Sequence, residues 1–119
     1  MSNLNFRKIE QSIEDRKKLH LQFLNKVKTY KPFLELEESA FGDGALDKKT
    51  KELMALSISI VTKCEPCMEW HLDQALQAGA ADEEIYETID VAIEMGGGQA
   101  GAYARFVFNA LEYFKVKNK

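Results

Sequence analysis

Cys64-Glu65-Pro66-Cys67, followed by His71 and preceded by Glu52, is the group of residues in this chain whose types and spacing could do chemistry. On a helix, Cys64 and Cys67 stand one turn apart and Cys67 and His71 form an i,i+4 pair. Cys64 and His71, seven positions apart, differ by about 20° around the axis, so all three side chains share a face. Cysteines at i and i+3 have Cα atoms about 5–6 Å apart, within the span of a disulfide. Cys64 falls at or near an N-cap, with Pro66 in the first turn, where its missing N–H does no harm. Unpaired N–H groups and the helix dipole stabilise a thiolate there, which suits redox chemistry. An imidazole titrates near physiological pH, so His71 can take or return the proton of Cys67. Glu52 lies on an otherwise apolar segment, where a carboxylate needs a partner. An imidazole is a suitable one, and Glu52 would then orient the ring and stabilise its charged form.

The same residues admit other readings. Cysteines at this spacing can be two small hydrophobes. Cys64, Cys67, His71 and Glu52 could also make a four-ligand zinc site, but such sites usually draw a second Cys or His pair from another segment, and this chain has none. No metal or cofactor is therefore expected. Glu52 could instead be exposed. His20 lies on a charged helix and is expected to be solvated. Gly96-Gly97-Gly98 lacks a following Lys-Ser/Thr, which argues against a phosphate loop. Trp70 and the stripe of Tyr103, Phe106 and Phe114 read as core or subunit interface rather than a substrate pocket.

The elements that must position these residues are helical. Phe6, Ile9, Ile13, Leu19, Phe23, Val27 and Tyr30 recur at helical steps among charges, which predicts a long amphipathic helix over about 5–30. Lys31-Pro32 should end it, because the residue before proline avoids the helical region. Pro32 then opens a short helix with Phe33, Leu34, Leu36 and Phe41. After the break at Gly42-Asp43-Gly44, Asp47 is the N-cap of a segment over about 48–61 that is apolar almost all round. Such a helix belongs at the centre of a fold, with a buried strand as the competing reading. A helix over about 64–78 carries the cysteines and closes at Gly79 in the C′ position. Asp82-Glu83-Glu84 begins a further helix with Ile85, Ile89, Ala92 and Ile93 on its buried stripe. The three glycines break it. A last helix over about 99–115 presents Tyr103, Phe106, Val107, Ala110, Leu111 and Phe114, and residues 115–119 read as a frayed tail. The expected fold is all-α, with about six helices in one domain over 1–119.

Composition narrows the function classes. Of 119 residues, 45% are apolar and 29% charged, which is globular and neither disordered nor fibrous. A net charge of −3 with interspersed lysines leaves no footprint for nucleic acid. No apolar run approaches the roughly 20 residues of a membrane span. The first residues lack the apolar core of a signal peptide, so a cytoplasmic location is expected. Two cysteines in such a compartment point to chemistry rather than to a disulfide framework.

Glu52, eleven residues, Cys64-x-x-Cys67, three residues and His71, then Gly79-Ala80 with acids before Ile85 and the Gly96–Gly98 run, resemble the carboxymuconolactone decarboxylase family. Within it the chain is most similar to the alkylhydroperoxidase D-like branch, over about residues 44–114. The Glu…CxxC…His spacing is the specific part of the likeness. The resemblance implies an all-helical fold, homo-oligomers (trimers or hexamers), and reduction of hydroperoxides in antioxidant defence. Carried over by position, Cys64 and Cys67 are the redox pair, His71 the proton shuttle and Glu52 its partner. It also implies a dithiol reductant, a lipoyl group or a thioredoxin-like protein. Well-studied peroxidases of the branch carry a second histidine between the cysteines, where this chain has Pro66. The namesake decarboxylases act on a lactone without cofactor and without a CxxC pair; that activity is the alternative, beside a zinc-binding or purely structural oligomer.

Overall fold

Asp47 caps the helix on which the rest is built: its carboxylate accepts the Thr50 N–H at 2.8 Å, satisfying a donor that the first turn leaves free. In the computed structural model, which describes residues 4–118, five helices follow in chain order. They are α1 (Leu4–Lys26), α2 (Tyr30–Phe41), α3 (Lys48–Val61), α4 (Glu65–Gln77) and α5 (Asp82–Lys117). The segment 48–61 is a helix and not the competing strand, and the fold is all-α. No described helix is long and apolar enough to cross a membrane. The signal-peptide expectation falls partly on residues 1–3, outside the described residues, as does the tail residue Lys119.

Helices α3, α4 and α5 pack most extensively against one another, and α1 lies across α4 and α5. Leu56 and Ile60 of α3, Met68, Leu72 and Ala75 of α4, and Ile85, Val107, Ala110 and Leu111 of α5 lose all or nearly all contact with solvent. Ile9 and Phe6 of α1 close this core, with the Phe6 ring edge-on to Tyr113 at 5.4 Å between centroids.

The expected break at the glycines is present as a kink within α5, whose two helical stretches meet at Gly97. The glycine run lies inside α5, which bends there because Gly97 adopts φ 74° and ψ −158°, a conformation open essentially to glycine alone. Beside it, a Cβ on Gly96 would meet Ala100 Cβ at 2.8 Å and Val61 Cγ2 at 3.2 Å, so the missing side chain lets the bend seat on α3. Gly79, with φ 95°, ends α4 as expected.

Several expectations are corrected. Helix α1 stops at Lys26 rather than 30, and Pro32 does not end it; Pro32 sits inside the first turn of α2, where no intrahelical N–H bond is lost. The expected apolar stripe is covered only over its first half: Leu19 and Phe23 of α1, and Val27 just beyond it, are exposed. Helix α3 is central on one face only: Met54 and Ile58 are 50% and 61% exposed, next to Val91 of α5 at 57%, and Met95, one turn beyond Val91, is 72% exposed. Ile93 and Tyr103, placed on buried stripes, are exposed as well, although the other members of both stripes are buried. The expected frayed tail is helical to Lys117, with Lys115 paired to Asp82 across the two ends of α5.

Candidate active site

The turn from α3 into α4 sets the position of the cysteines. Lys63 takes a left-handed φ of 61°, and the Cys64 N–H then donates to Ser59 O at 3.0 Å. Cys64 is the N-cap of α4: its sulfur accepts the Cys67 N–H at 3.3 Å, with Pro66 in the first turn behind it. The two sulfurs are joined in a disulfide with the Cα atoms 5.2 Å apart, within the range expected for cysteines one turn apart. Both sulfurs of the zinc alternative are thus engaged with each other.

One turn on, His71 Nδ1 meets Glu52 Oε1 at 2.7 Å, a contact between α4 and α3. Glu52 is 2% exposed, so the exposed alternative is excluded, and its second oxygen accepts from Lys48 Nζ at 2.6 Å. A buried carboxylate between a cation and an imidazole is compensated on both oxygens, which is what permits its burial. The Phe41 ring stacks on His71 at 5.2 Å between centroids and 24° between planes, fixing the imidazole from its other side. With Nδ1 engaged, Nε2 is the nitrogen left for proton exchange.

Cys67 and His71 line one cleft of about 570 Å³, together with Pro66 and Trp70 of α4, Arg16, Lys17 and His20 of α1, and Tyr30, Phe33, Leu34 and Glu37 of α2. The structure therefore brings together Cys64 with Cys67, Glu52 with His71, and Cys67 with His71 on one wall. It also corrects two expectations. His20 is half-buried in this cleft and hydrogen-bonded to Tyr30, rather than solvated, and Trp70 lines the cleft rather than only the core.

Sequence reasoning missed the second buried carboxylate, Glu69. It is wholly buried between α4 and α1, held by Arg16 Nε at 3.2 Å, Arg16 Nη2 at 3.3 Å and Ser12 Oγ at 3.4 Å. Burial raises its pKa above the ordinary carboxylate value, and the hydrogen bonds from Arg16 and Ser12 pull the other way. The Arg16 guanidinium also lies over the Trp70 ring, 4.5 Å from its centroid. One signal was available: Glu69 is three residues before buried Leu72 and so falls on the apolar face of α4. Lys48 was likewise legible as an i,i+4 partner of Glu52.

Known proteins share this arrangement of helices. The family model of the carboxymuconolactone decarboxylase family matches residues 28–110. Uncharacterized protein 4 in the cox locus of Paracoccus denitrificans is 45% identical over 80 residues, 67% of this chain and 72% of that protein. The crystal structure of an apo carboxymuconolactone decarboxylase family protein from Legionella pneumophila superposes with a TM-score of 0.85 at 33% identity, covering 90% of this chain and 96% of that one. A carboxymuconolactone decarboxylase family protein of Thermotoga maritima, solved at 1.56 Å and linked by its description to an antioxidative response, gives a TM-score of 0.83 at 34% identity over 91% of this chain and 92% of that one. With a family model spanning most of its length and solved relatives matching its helices throughout, the chain belongs to the carboxymuconolactone decarboxylase family.

Proposed function

We propose that this protein is an alkylhydroperoxidase D-like thiol peroxidase and disulfide oxidoreductase, working through Cys64 and Cys67 with Glu52 and His71 as the proton relay. The observation that carries the reading is the disulfide-spaced cysteine pair at the start of α4, sharing a cleft with an imidazole that a buried carboxylate holds at 2.7 Å. The antioxidative description of the Thermotoga maritima relative supports the same direction.

Starting from the dithiol, His71 Nε2 takes one thiol proton. The thiolate attacks the terminal oxygen of a hydroperoxide, so that an S–O bond forms, the O–O bond breaks and the electron pair leaves on the alcohol oxygen. The second thiol then attacks the sulfenic sulfur, forming the Cys64–Cys67 disulfide and releasing water. The sum is two thiols and one hydroperoxide to one disulfide, one alcohol and one water. A dithiol partner, lipoyl or thioredoxin-like, returns the pair to the reduced state by exchange. A lactone decarboxylase would use neither sulfur. The exposed apolar band of Met54, Ile58, Val91 and Met95 supports assembly into a homo-oligomer, and a reducing cytoplasm suits the chemistry.

The test is a thiol titration with intact mass, before and after one equivalent of cumene hydroperoxide. Loss of both thiols with a mass decrease of about two daltons is the expected result. Two thiols that survive the peroxide would exclude it as a substrate. Glu52→Gln should keep the fold and slow disulfide formation by about a hundredfold, the usual scale of a lost acid–base relay.

A further inference from the structure

Two side chains that line the same cleft as Cys67 and His71 are left unused by the relay. His20 of α1 and Tyr30 of α2 join the two helices, Nδ1 to hydroxyl at 2.7 Å, with the rings edge to face. Both line the cleft that holds Cys67 and His71. Both also line a second cavity of about 460 Å³, as do Arg16 and Pro66, so this pair borders both spaces, as does Pro66, one of the two residues between the cysteines. With Nδ1 engaged by Tyr30, Nε2 is the remaining ring nitrogen.

Hydroperoxide reduction has two proton tasks at different atoms. One is at sulfur, and His71 on the cysteine helix is placed for it. The other is at the leaving oxygen, an alkoxide that needs a proton as the O–O bond breaks. Displacement at the terminal oxygen is in line, so the leaving oxygen lies on the side away from the sulfur. Apart from the α4 residues beside Cys67 and His71, the lining of the cleft comes from α1 and α2. A general acid there would have to be an ionisable group within hydrogen-bond reach of the departing atom.

We propose that His20, held by Tyr30, is the general acid that protonates the leaving alkoxide. As the sulfur gains the terminal oxygen and is oxidised, the O–O electron pair goes to the alcohol oxygen, which takes the His20 ring proton; solvent reprotonates the ring. Lys17, which lines the same cleft, adds positive charge where the negative oxygen develops, while Arg16 is committed to Glu69 and Glu37 lines the cleft with the opposite sign. This role rests on the peroxidase reading above.

The test separates the two. Reduced wild type, His20→Gln and Tyr30→Phe are mixed in single turnover with cumene hydroperoxide and with a bis(nitrobenzoate) disulfide, whose aromatic thiolate departs without a proton. The fluorescence of Trp70, the sole tryptophan and a lining residue of the cleft, reports oxidation. Thermal unfolding confirms that each variant is folded. His20→Gln should lose about a hundredfold with the hydroperoxide and stay within about twofold with the disulfide reagent, and Tyr30→Phe should lose about tenfold with the hydroperoxide alone. Equal losses with both electrophiles, or no loss with the hydroperoxide, overturn the acid role while leaving the peroxidase reading intact. A wild type that reacts with the aromatic disulfide and ignores the hydroperoxide overturns the peroxidase reading itself.

Discussion

Replacing Arg16 with methionine tests the electrostatics of the joint between α1 and the cysteine helix. Glu69 has no exposed surface, and burial raises its pKa against the pull of its partners. A carboxyl whose folded pKa lies above its unfolded one keeps its proton longer in the folded chain. Stability therefore falls as pH climbs from the unfolded value to the folded one, and is flat outside that window. Methionine removes the two guanidinium bonds at 3.2 and 3.3 Å and leaves the Ser12 hydroxyl at 3.4 Å, so the folded pKa rises further. The variant continues to lose stability after the wild type has levelled, by up to about 1.4 kcal/mol per pH unit. Near pH 4 the acid is protonated in both folded proteins, and the difference is the lost stacking over Trp70, about 0.5–1 kcal/mol. By about pH 8 the gap should widen by a further 2–3 kcal/mol, two charge-assisted hydrogen bonds counted at the low end of their range. The low end applies because both bonds are long and the Arg16 side chain is 31% exposed. Urea unfolding of both proteins at intervals from pH 4 to 8 measures the gap, and Glu69→Gln in the Arg16→Met background should flatten it. Parallel stability curves for wild type and Arg16→Met would show that the Glu69 carboxyl does not titrate differently without its cation, and the reasoning would be wrong.

Other outcomes follow from single features. Reduction of the disulfide, or Cys64→Ser, opens only a very short loop, so it should lower unfolding free energy by no more than about 2 kcal/mol and leave the helical circular dichroism unchanged. Gly97→Ala should lower stability by about 1–3 kcal/mol in thermal unfolding, because φ 74° with ψ −158° strains any side chain. Gly98→Ala, helical and with open space around a new Cβ, should be neutral or raise stability by up to about 1 kcal/mol. Ile58→Glu on the exposed apolar band should leave the single-chain fold intact and, if the proposed homo-oligomer forms through this band, give a smaller species than wild type by light scattering; an equal mass for the two would remove α3 from the proposed interface.

Local signals were the legible ones. Asp47 before Thr50, Gly79 after α4 and the acids 82–84 before Ile85 each act within one helical turn, and each stands where its chemistry requires. The cysteines and His71 were legible for the same reason: their shared face is a property of helical spacing. The partners that hold them were harder to see. Arg16 and Glu69 meet across 53 positions, and His20 enters the cleft only because α1 crosses α4. Periodicity tells which side of a helix is apolar but not which neighbour covers it. Helix α3 is the clearest case: its apolar circumference reads as burial, yet Met54 and Ile58 stand open on a single chain. Residues 27–29 interrupt the first helix with no glycine or proline of their own, so the early stop at Lys26 had no local marker.

The sulfur of Cys64 is at once half of the disulfide and the cap of α4. Its electronic state and the integrity of the first turn are therefore two readouts of one equilibrium. In a thermodynamic cycle, whatever free energy a thiolate adds to that cap, over what a disulfide sulfur adds, must appear equally as an increase in the folded chain's oxidising power. Substitutions at Glu65 or Pro66 would then shift electron affinity and melting behaviour together. A variant selected only for heat resistance at this turn would acquire a different redox set-point without any change at the cysteines.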